Sequence, residues 1–392
     1  MIICGKEVKA MPWKIMNIMD QKMQLIADWK NNLLSITDLS QKYGISRPTV
    51  YKWIRRYEEQ SVEGLKDQSR KPLTSPNQTE NRIISLILQE KLKNRKRGPK
   101  KILYQLKRQY PDISWPAAST IGEWLKKGGL VKPRKRRLRV PPYTEPFQDC
   151  QSPNATWSAD YKGQFHTGDN NLCYPLTISD NYSRYLLKCQ GLPGPRYHET
   201  RNVFESTFKQ YGLPEVIRTD NGVPFAGKSV GGLSRLMIWW IQLGIQPERI
   251  KKGAPQENGR HERMHRTLKD EALDPISHTI KEQQECFDWF QWDYNNDRPH
   301  EALDQKTPKD YYSRSSREYR DNPPKPNYDY KFEVRQVRHS GEIRFKGSLY
   351  FLSSLLKNQP VGLTQVTEDQ WDVYYSFYRL AALDMRKNKI IK

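Results

Sequence analysis

Four acids in the 392-residue sequence stand where chemistry is plausible: Asp160, Asp180, Asp220 and Glu262. Asp160 lies in the alternating stretch WSADYKG, among apolar neighbours, where a carboxylate without a partner is costly. Asp220 closes a short apolar stretch at DNG, and reactive groups gather at strand ends in open α/β sheets. Glu262 falls inside a polar helical stretch that follows KGAPQENG. Carboxylates brought together oppose each other's ionisation, and a divalent cation removes that conflict. Hard oxygen donors with open positions suit Mg²⁺. Two such ions about 4 Å apart clamp the attacking and leaving oxygens of an in-line phosphoryl displacement. Each acid alone has a plainer reading: a buried ion pair for Asp160, a surface glutamate for Glu262, a turn former for Asp180 in DNYSR. Asp180 is therefore a reserve ligand.

A second chemistry overlaps the first. His261, Glu262 and His265 spell HExxH on an expected helix, the spacing of zinc proteases. No third ligand follows at helical spacing, His278 falling past the helix end, and Arg263, Arg266 and Lys269 would crowd a zinc ion with positive charge.

These residues need elements to position them. Residues 1–72 read as a helix-turn-helix domain. Ser35 caps its second helix with Asp38 in the reciprocal capping position, Gly44 ends it, and Ser46 caps a third. Val50, Ile54 and Tyr57 form the inner face of that third helix. Arg47, Thr49, Tyr51, Lys52, Arg55 and Arg56 face outward as a DNA-reading surface. Residues 73–130 repeat the theme more weakly. Residues 131–150 form a basic linker whose Arg134, Lys135, Arg136 and Arg137 track phosphates. Residues 151–312 alternate strands with helices, which fits a mixed α/β layer; the second strand is expected to begin pairing after Pro175. Residues 313–330 are a linker, and 331–392 read as short strands of a small β-barrel.

Composition agrees with a polyanionic partner. Lys and Arg number 66 against 44 acids, a net charge of +22, and nucleic acid is the usual partner of so basic a chain. Five cysteines without close spacing argue against a disulfide framework or a Cys-rich zinc site. No leader segment opens the chain and no apolar run suffices for a membrane span, so a cytoplasmic location, with no membrane partner, is expected.

WSADYKG, TISDNYSRYLL, IRTDNGVPF, GAPQENGRHERMHRTLK and DYNNDRPHEALDQKTP together resemble, in order, the motif series of insertion-sequence transposases of the retroviral-integrase-like (DDE) family. The resemblance covers residues 150–310. It implies an RNase H-like catalytic core in which Asp160, Asp220 and Glu262 bind two Mg²⁺ ions, with Mn²⁺ as a substitute. It implies nicking at element ends and attack of the freed 3′-hydroxyl on target DNA, in a bacterial, nucleoid-associated setting. The partners would be double-stranded terminal repeats, target DNA and further copies of the chain in a dimer or larger assembly. Arg266 and Lys269, one and two turns beyond Glu262 on one helix face, would hold DNA phosphates, with Asn258 nearby. Asn295, Arg298, Pro299 and His300 read first as packing and helix-terminating residues. The rival reading is a helix-turn-helix regulator without catalysis, which explains the charge but not the ordered acidic motifs.

Overall fold

The computed structural model describes residues 17–67, 78–131, 150–227, 230–251 and 259–391. The chain divides into two compact units, residues 1–78 and 79–392.

The first unit is a helical trio: α1 (Ile18–Lys30), α2 (Ile36–Lys42) and α3 (Arg47–Gln60). Leu25, Ile26, Leu39, Val50, Ile54 and Leu65 make its core. The capping box of α2 forms as its sequence dictates, Ser35 accepting from the Asp38 amide and Asp38 reaching back. Gly44 follows at φ +62°, the left-handed turn that glycine allows. Ser46 takes the N-cap position of α3 but makes no side-chain cap; its hydroxyl lies 2.8 Å from the Thr49 hydroxyl instead.

The second unit opens with α4 (Asn81–Lys93), α5 (Pro99–Gln109) and α6 (Ala118–Lys127), packed around Ile87, Ile102, Leu106, Ile121 and Leu125. Then come β1 (Thr156–Tyr161), β2 (Phe165–His166), β3 (Leu172–Asp180) and β4 (Leu186–Leu192), a meander, followed by α7 (Tyr197–Tyr211) and β5 (Val216–Thr219). Next are α8 (Arg235–Gln242), β6 (Gln246–Arg249), α9 (Gly259–Ala272) and α10 (Ile280–Asn296). β3 pairs antiparallel with β1 and β4, while β5 joins β1, and β6 joins β5, in parallel. The result is a mixed sheet.

Period-two alternation gives that sheet two faces. Trp157, Ala159, Leu176, Ile178 and Ile217 pack against Phe204 and Phe208 of α7 and Trp240 of α8. The other face receives α9 and α10 through Met264, Leu268, Phe287 and Phe290. Asn295 secures α10 to β4 by bonding both backbone groups of Leu186 at 2.8 Å, the packing role its sequence suggested. Pro175 corrects one expectation: β3 runs straight through it, and its carbonyl accepts from the Lys162 amide at 2.9 Å. Proline lacks a donor, but its acceptor still serves the ladder.

Of α8, Leu236 through Ile241 are all buried, as a helix covered on every side must be. Its outer cover is the C-terminal region, β7 (Glu333–Gln336), β8 (Glu342–Phe345), β9 (Ser348–Phe351), β10 (Pro360–Gln365), β11 (Gln370–Tyr375), β12 (Tyr378–Asp384) and β13 (Lys389–Ile391). Gln242 at the end of α8 donates to the Tyr375 hydroxyl at 2.9 Å. A closed small β-barrel is not what these strands form. They make an open sheet in the order β13-β12-β11-β10-β7, with β8-β9 a separate hairpin. The hairpin lays Phe345 against Trp371, rings 4.9 Å apart, and so covers the sheet face that closure would have enclosed.

A charged clamp fastens the α4–α6 module to the core. Arg97, 2% exposed, bonds Asp293 at 2.6 Å and Asp297 at 2.9 Å. Gln105 and Arg108 of α5 also reach Asp297, at 3.0 and 2.5 Å.

Candidate metal-binding and nucleic-acid site

Strand register brings the first two acids together. β1 and β5 pair from Thr156 with Val216 through Ala159 with Thr219. One residue further, Asp160 stands opposite Asp220 at the carboxyl ends of both strands. Partners in register share a face, and here it is the face that receives α9. Both acids are half-buried. The Asp220 carboxylate is cradled by the next turn: its Oδ1 accepts from the Gly222 amide at 3.0 Å. A Cβ at Gly222 would lie 2.9 Å from Asp220 Oδ2, so only glycine leaves that carboxylate where it is. Asn221 ties the same turn to the end of β6 by donating to the Ile250 carbonyl at 2.8 Å.

Glu262 lies exposed in the first turn of α9. At 100° per residue, α9 has three functional stripes. His261, His265 and Leu268 face the sheet. Glu262, Arg266 and Lys269 form a second stripe, all exposed. Arg260, Arg263 and Thr267 form a third. Asn258 and the basic residues Arg134, Lys135, Arg136 and Arg137 lie outside the described residues.

The sheet-facing stripe holds a polar network that joins β3 to α9. Thr177 of β3, in register with Asp160, donates from Oγ1 to the Asp160 carbonyl at 3.0 Å. The same oxygen lies 2.7 Å from Nε2 of both His261 and His265. With its proton engaged, Thr177 accepts from both rings, which fixes both as Nε2–H tautomers. Ser179 then donates to His261 Nδ1 at 3.2 Å. Burial pushes His261 down to about 3, and burial with the neighbouring His261 and Lys162 pushes His265 down to about 2; both rings are neutral. The visible signal was a pair of histidines four apart on the stripe that continues into Leu268.

Asp160, His261 and His265 each offer a ligand atom within 4.8 Å of the other two; among the described residues, Asp160, Asp220 and Glu262 are not so closely gathered. HExxH thus supplies two histidines that converge, but Glu262 points away from them into solvent. Asp180, 1% exposed, is spent on the turn after β3: it accepts from the Asn154 amide and from the amide and hydroxyl of Ser183. Burial raises its pKa against those bonds.

On α3, Arg47, Tyr51, Lys52 and Arg55 are exposed and Thr49 and Arg56 half-buried. Trp53, not singled out in the sequence, gathers cations: Lys22 lies 3.9 Å, Lys52 5.2 Å and Arg56 5.3 Å from its ring centre. Among the described residues no helix is long and apolar enough to cross a membrane.

An integrase core domain matches residues 243–308, a stretch containing Glu262 but neither Asp160 nor Asp220. A helix-turn-helix domain matches residues 21–72 and a homeodomain-like domain residues 49–125. The chain is 27% identical over 164 residues to the transposase for insertion sequence element IS904 of Lactococcus lactis, covering 41% of this chain and 62% of the relative. It is 24% identical over 186 residues to an uncharacterized protein of insertion element IS407 from Burkholderia multivorans, covering 47% of this chain and 64% of the relative. The match thus spans less than two thirds of these relatives. The magnesium-bound HTLV-2 integrase catalytic core domain shares 17% identity at a TM-score of 0.34, over 42% of this chain and 99% of that one. The resemblance to insertion-sequence transposases with an integrase core and helix-turn-helix domains is borne out.

Proposed function

We propose that the chain is a DDE-type DNA transposase that nicks the ends of its element and joins the freed 3′-hydroxyl to target DNA. The observation that carries this reading is the placement of Asp160 opposite Asp220 at two parallel strand ends, on the sheet face covered by the helix of Glu262. The donor chemistry fits Mg²⁺: three carboxylates, two half-buried and one exposed, one of them seated in a cradle that a Cβ would fill. The nearby imidazoles direct their Nε2 atoms at Thr177. When bound, two Mg²⁺ ions, or Mn²⁺ in their place, neutralise charge on the reacting phosphate and activate water or a 3′-hydroxyl. Asp160, Asp220 and Glu262 would hold them.

The remaining roles belong to residues around that triad. Thr177, His261 and His265 fix α9 against β3, which sets where Glu262 sits. Arg266 and Lys269, on the stripe of Glu262, hold the phosphates flanking the scissile bond, with Asn258 beside them. Arg47, Thr49, Tyr51, Lys52, Arg55 and Arg56 read the terminal repeats, and Arg134, Lys135, Arg136 and Arg137 follow the backbone between domains. Joining two ends in one event calls for a dimer or larger assembly on double-stranded DNA, in the bacterial cytoplasm at the nucleoid.

The test is incubation of the protein with a duplex carrying the DNA that flanks its own gene, in Mg²⁺, Mn²⁺ or chelator. A metal-dependent nick leaving a 3′-hydroxyl at a defined position is expected. Binding without a nick under either metal would leave a helix-turn-helix regulator as the reading.

A further inference from the structure

The third stripe of α9 faces a cavity that the reaction above does not use. Its volume is about 270 Å³, and Lys101, Arg184, Arg260, Arg263 and Arg298 line it. They come from four places in the chain: α5 of the helical module, the turn before β4, α9, and the segment after α10. Among the lining residues the single carboxylate is Glu301, which is engaged by Lys100 at 2.5 Å.

Such a gathering of cations is costly. Arg184 and Arg260 donate from Nη1 to one and the same acceptor, the Asn181 carbonyl, at 2.8 and 2.9 Å. Two guanidinium groups are thereby held side by side against a neutral oxygen. Arg263 donates to another carbonyl, that of Gly259, at 3.1 Å. Arg298 meets a carboxylate, Glu271, behind the cavity. Burial, then Arg298, draws Lys101 down to about 8. Like charges stacked in a recess repel, and the arrangement is relieved by an anion with several acceptor oxygens. Guanidinium forks match phosphate oxygens in just this way.

We infer that this cavity seats a backbone phosphate of the bound DNA, on the side of α9 turned away from Glu262. The inference rests on the DNA-processing reading above and adds a second anchoring point to it. Lys101 comes from the α4–α6 module, so the seat is complete only with that module clamped to the core through Arg97. The module thus contributes to holding DNA by completing a pocket, besides any base reading of its own.

The test uses Arg263→Gln and Lys101→Gln in the full chain, in chelator so that no cleavage occurs. Affinity for a long duplex of arbitrary sequence is measured across a salt series, alongside thermal unfolding with and without inorganic phosphate. Each variant is expected to lower the slope of log affinity against log salt by about 1 and to blunt stabilisation by phosphate. Without anion, the melting temperature should stay level or rise, because each substitution relieves repulsion; a purely structural cation would give the opposite. Lys209→Gln, a cation paired to Glu205 on α7, should leave the slope unchanged. An unchanged slope in both pocket variants overturns the proposal. Stabilisation by phosphate with no change in slope also overturns it, since the cavity would then take a small anion and not DNA. A wild-type chain that binds no duplex sinks the DNA reading itself, and this inference with it.

Discussion

Asp160 and Asp220 occupy corresponding positions on neighbouring parallel strands, each one residue past the last rung of the ladder that joins them. Backbone pairing, not side-chain packing, therefore fixes how close the two carboxylates stand.

Gly222→Ala tests the cradle around the second carboxylate. The new methyl would sit 2.9 Å from Asp220 Oδ2 and push the carboxylate off its seat. Nicking should fall by at least tenfold, equivalent to about 1.4 kcal/mol of barrier, with DNA binding and melting temperature close to wild type. Full nicking in this variant would show that the cradle is dispensable.

Thr177→Val removes the hydroxyl that serves two buried imidazoles and the Asp160 carbonyl. Leaving buried donors without an acceptor costs about 1–3 kcal/mol each. Denaturant titration should show a loss of about 2 kcal/mol or more, and Thr177→Ser should restore most of it. An unchanged midpoint for Thr177→Val would mean that the network does not hold α9.

Arg97→Met strands Asp293, 4% exposed, beside Asp297. Breaking a buried pair from one side costs about 3–5 kcal/mol. The double variant Arg97→Met with Asp293→Leu should recover much of that loss. If the single variant is as stable as wild type by denaturant titration, the clamp is not a structural joint.

His300 gives a signature in acid. Burial first, then Lys101 of α5, Arg298 and Arg184, hold its pKa near 3, while Nε2 donates to the Tyr294 carbonyl at 3.2 Å. An unfolded histidine titrates near 6.5. The folded chain thus binds fewer protons between those values, so this contribution is complete above pH 6.5 and is lost as pH falls toward 3. Unfolding measured across that range should show a shallower acid slope in His300→Gln than in wild type, by up to about 1.4 kcal/mol per pH unit. Parallel slopes would contradict the buried, neutral ring.

Much of this arrangement was legible in the sequence where the signal is local. The capping box at Ser35 and Asp38, the left-handed Gly44 and the alternation around Asp160 each report a nearby backbone need. What stayed hidden depends on partners remote in the chain. β6 was missed because Gln246–Arg249 carries a proline and two charges, yet it is paired in register to β5, with Arg218 bonding Glu248 at 2.8 and 2.9 Å. The open C-terminal sheet was read as a barrel because short strands look alike whether or not they close, and β12 and β13 were not distinguished from the tail. The five cations around the α9 cavity come from four separate places in the sequence, and no local pattern marks them as neighbours.

The most direct measurement is Mg²⁺-dependent nicking of the gene's flanking DNA by wild type beside Asp160→Asn, Asp220→Asn and Glu262→Gln, with binding to the same duplex followed in parallel. The account predicts a nick with a free 3′-hydroxyl from wild type, and three variants that bind the duplex but do not cut it. A variant among the three that cuts as well as wild type would contradict the assignment of these carboxylates to a shared metal site.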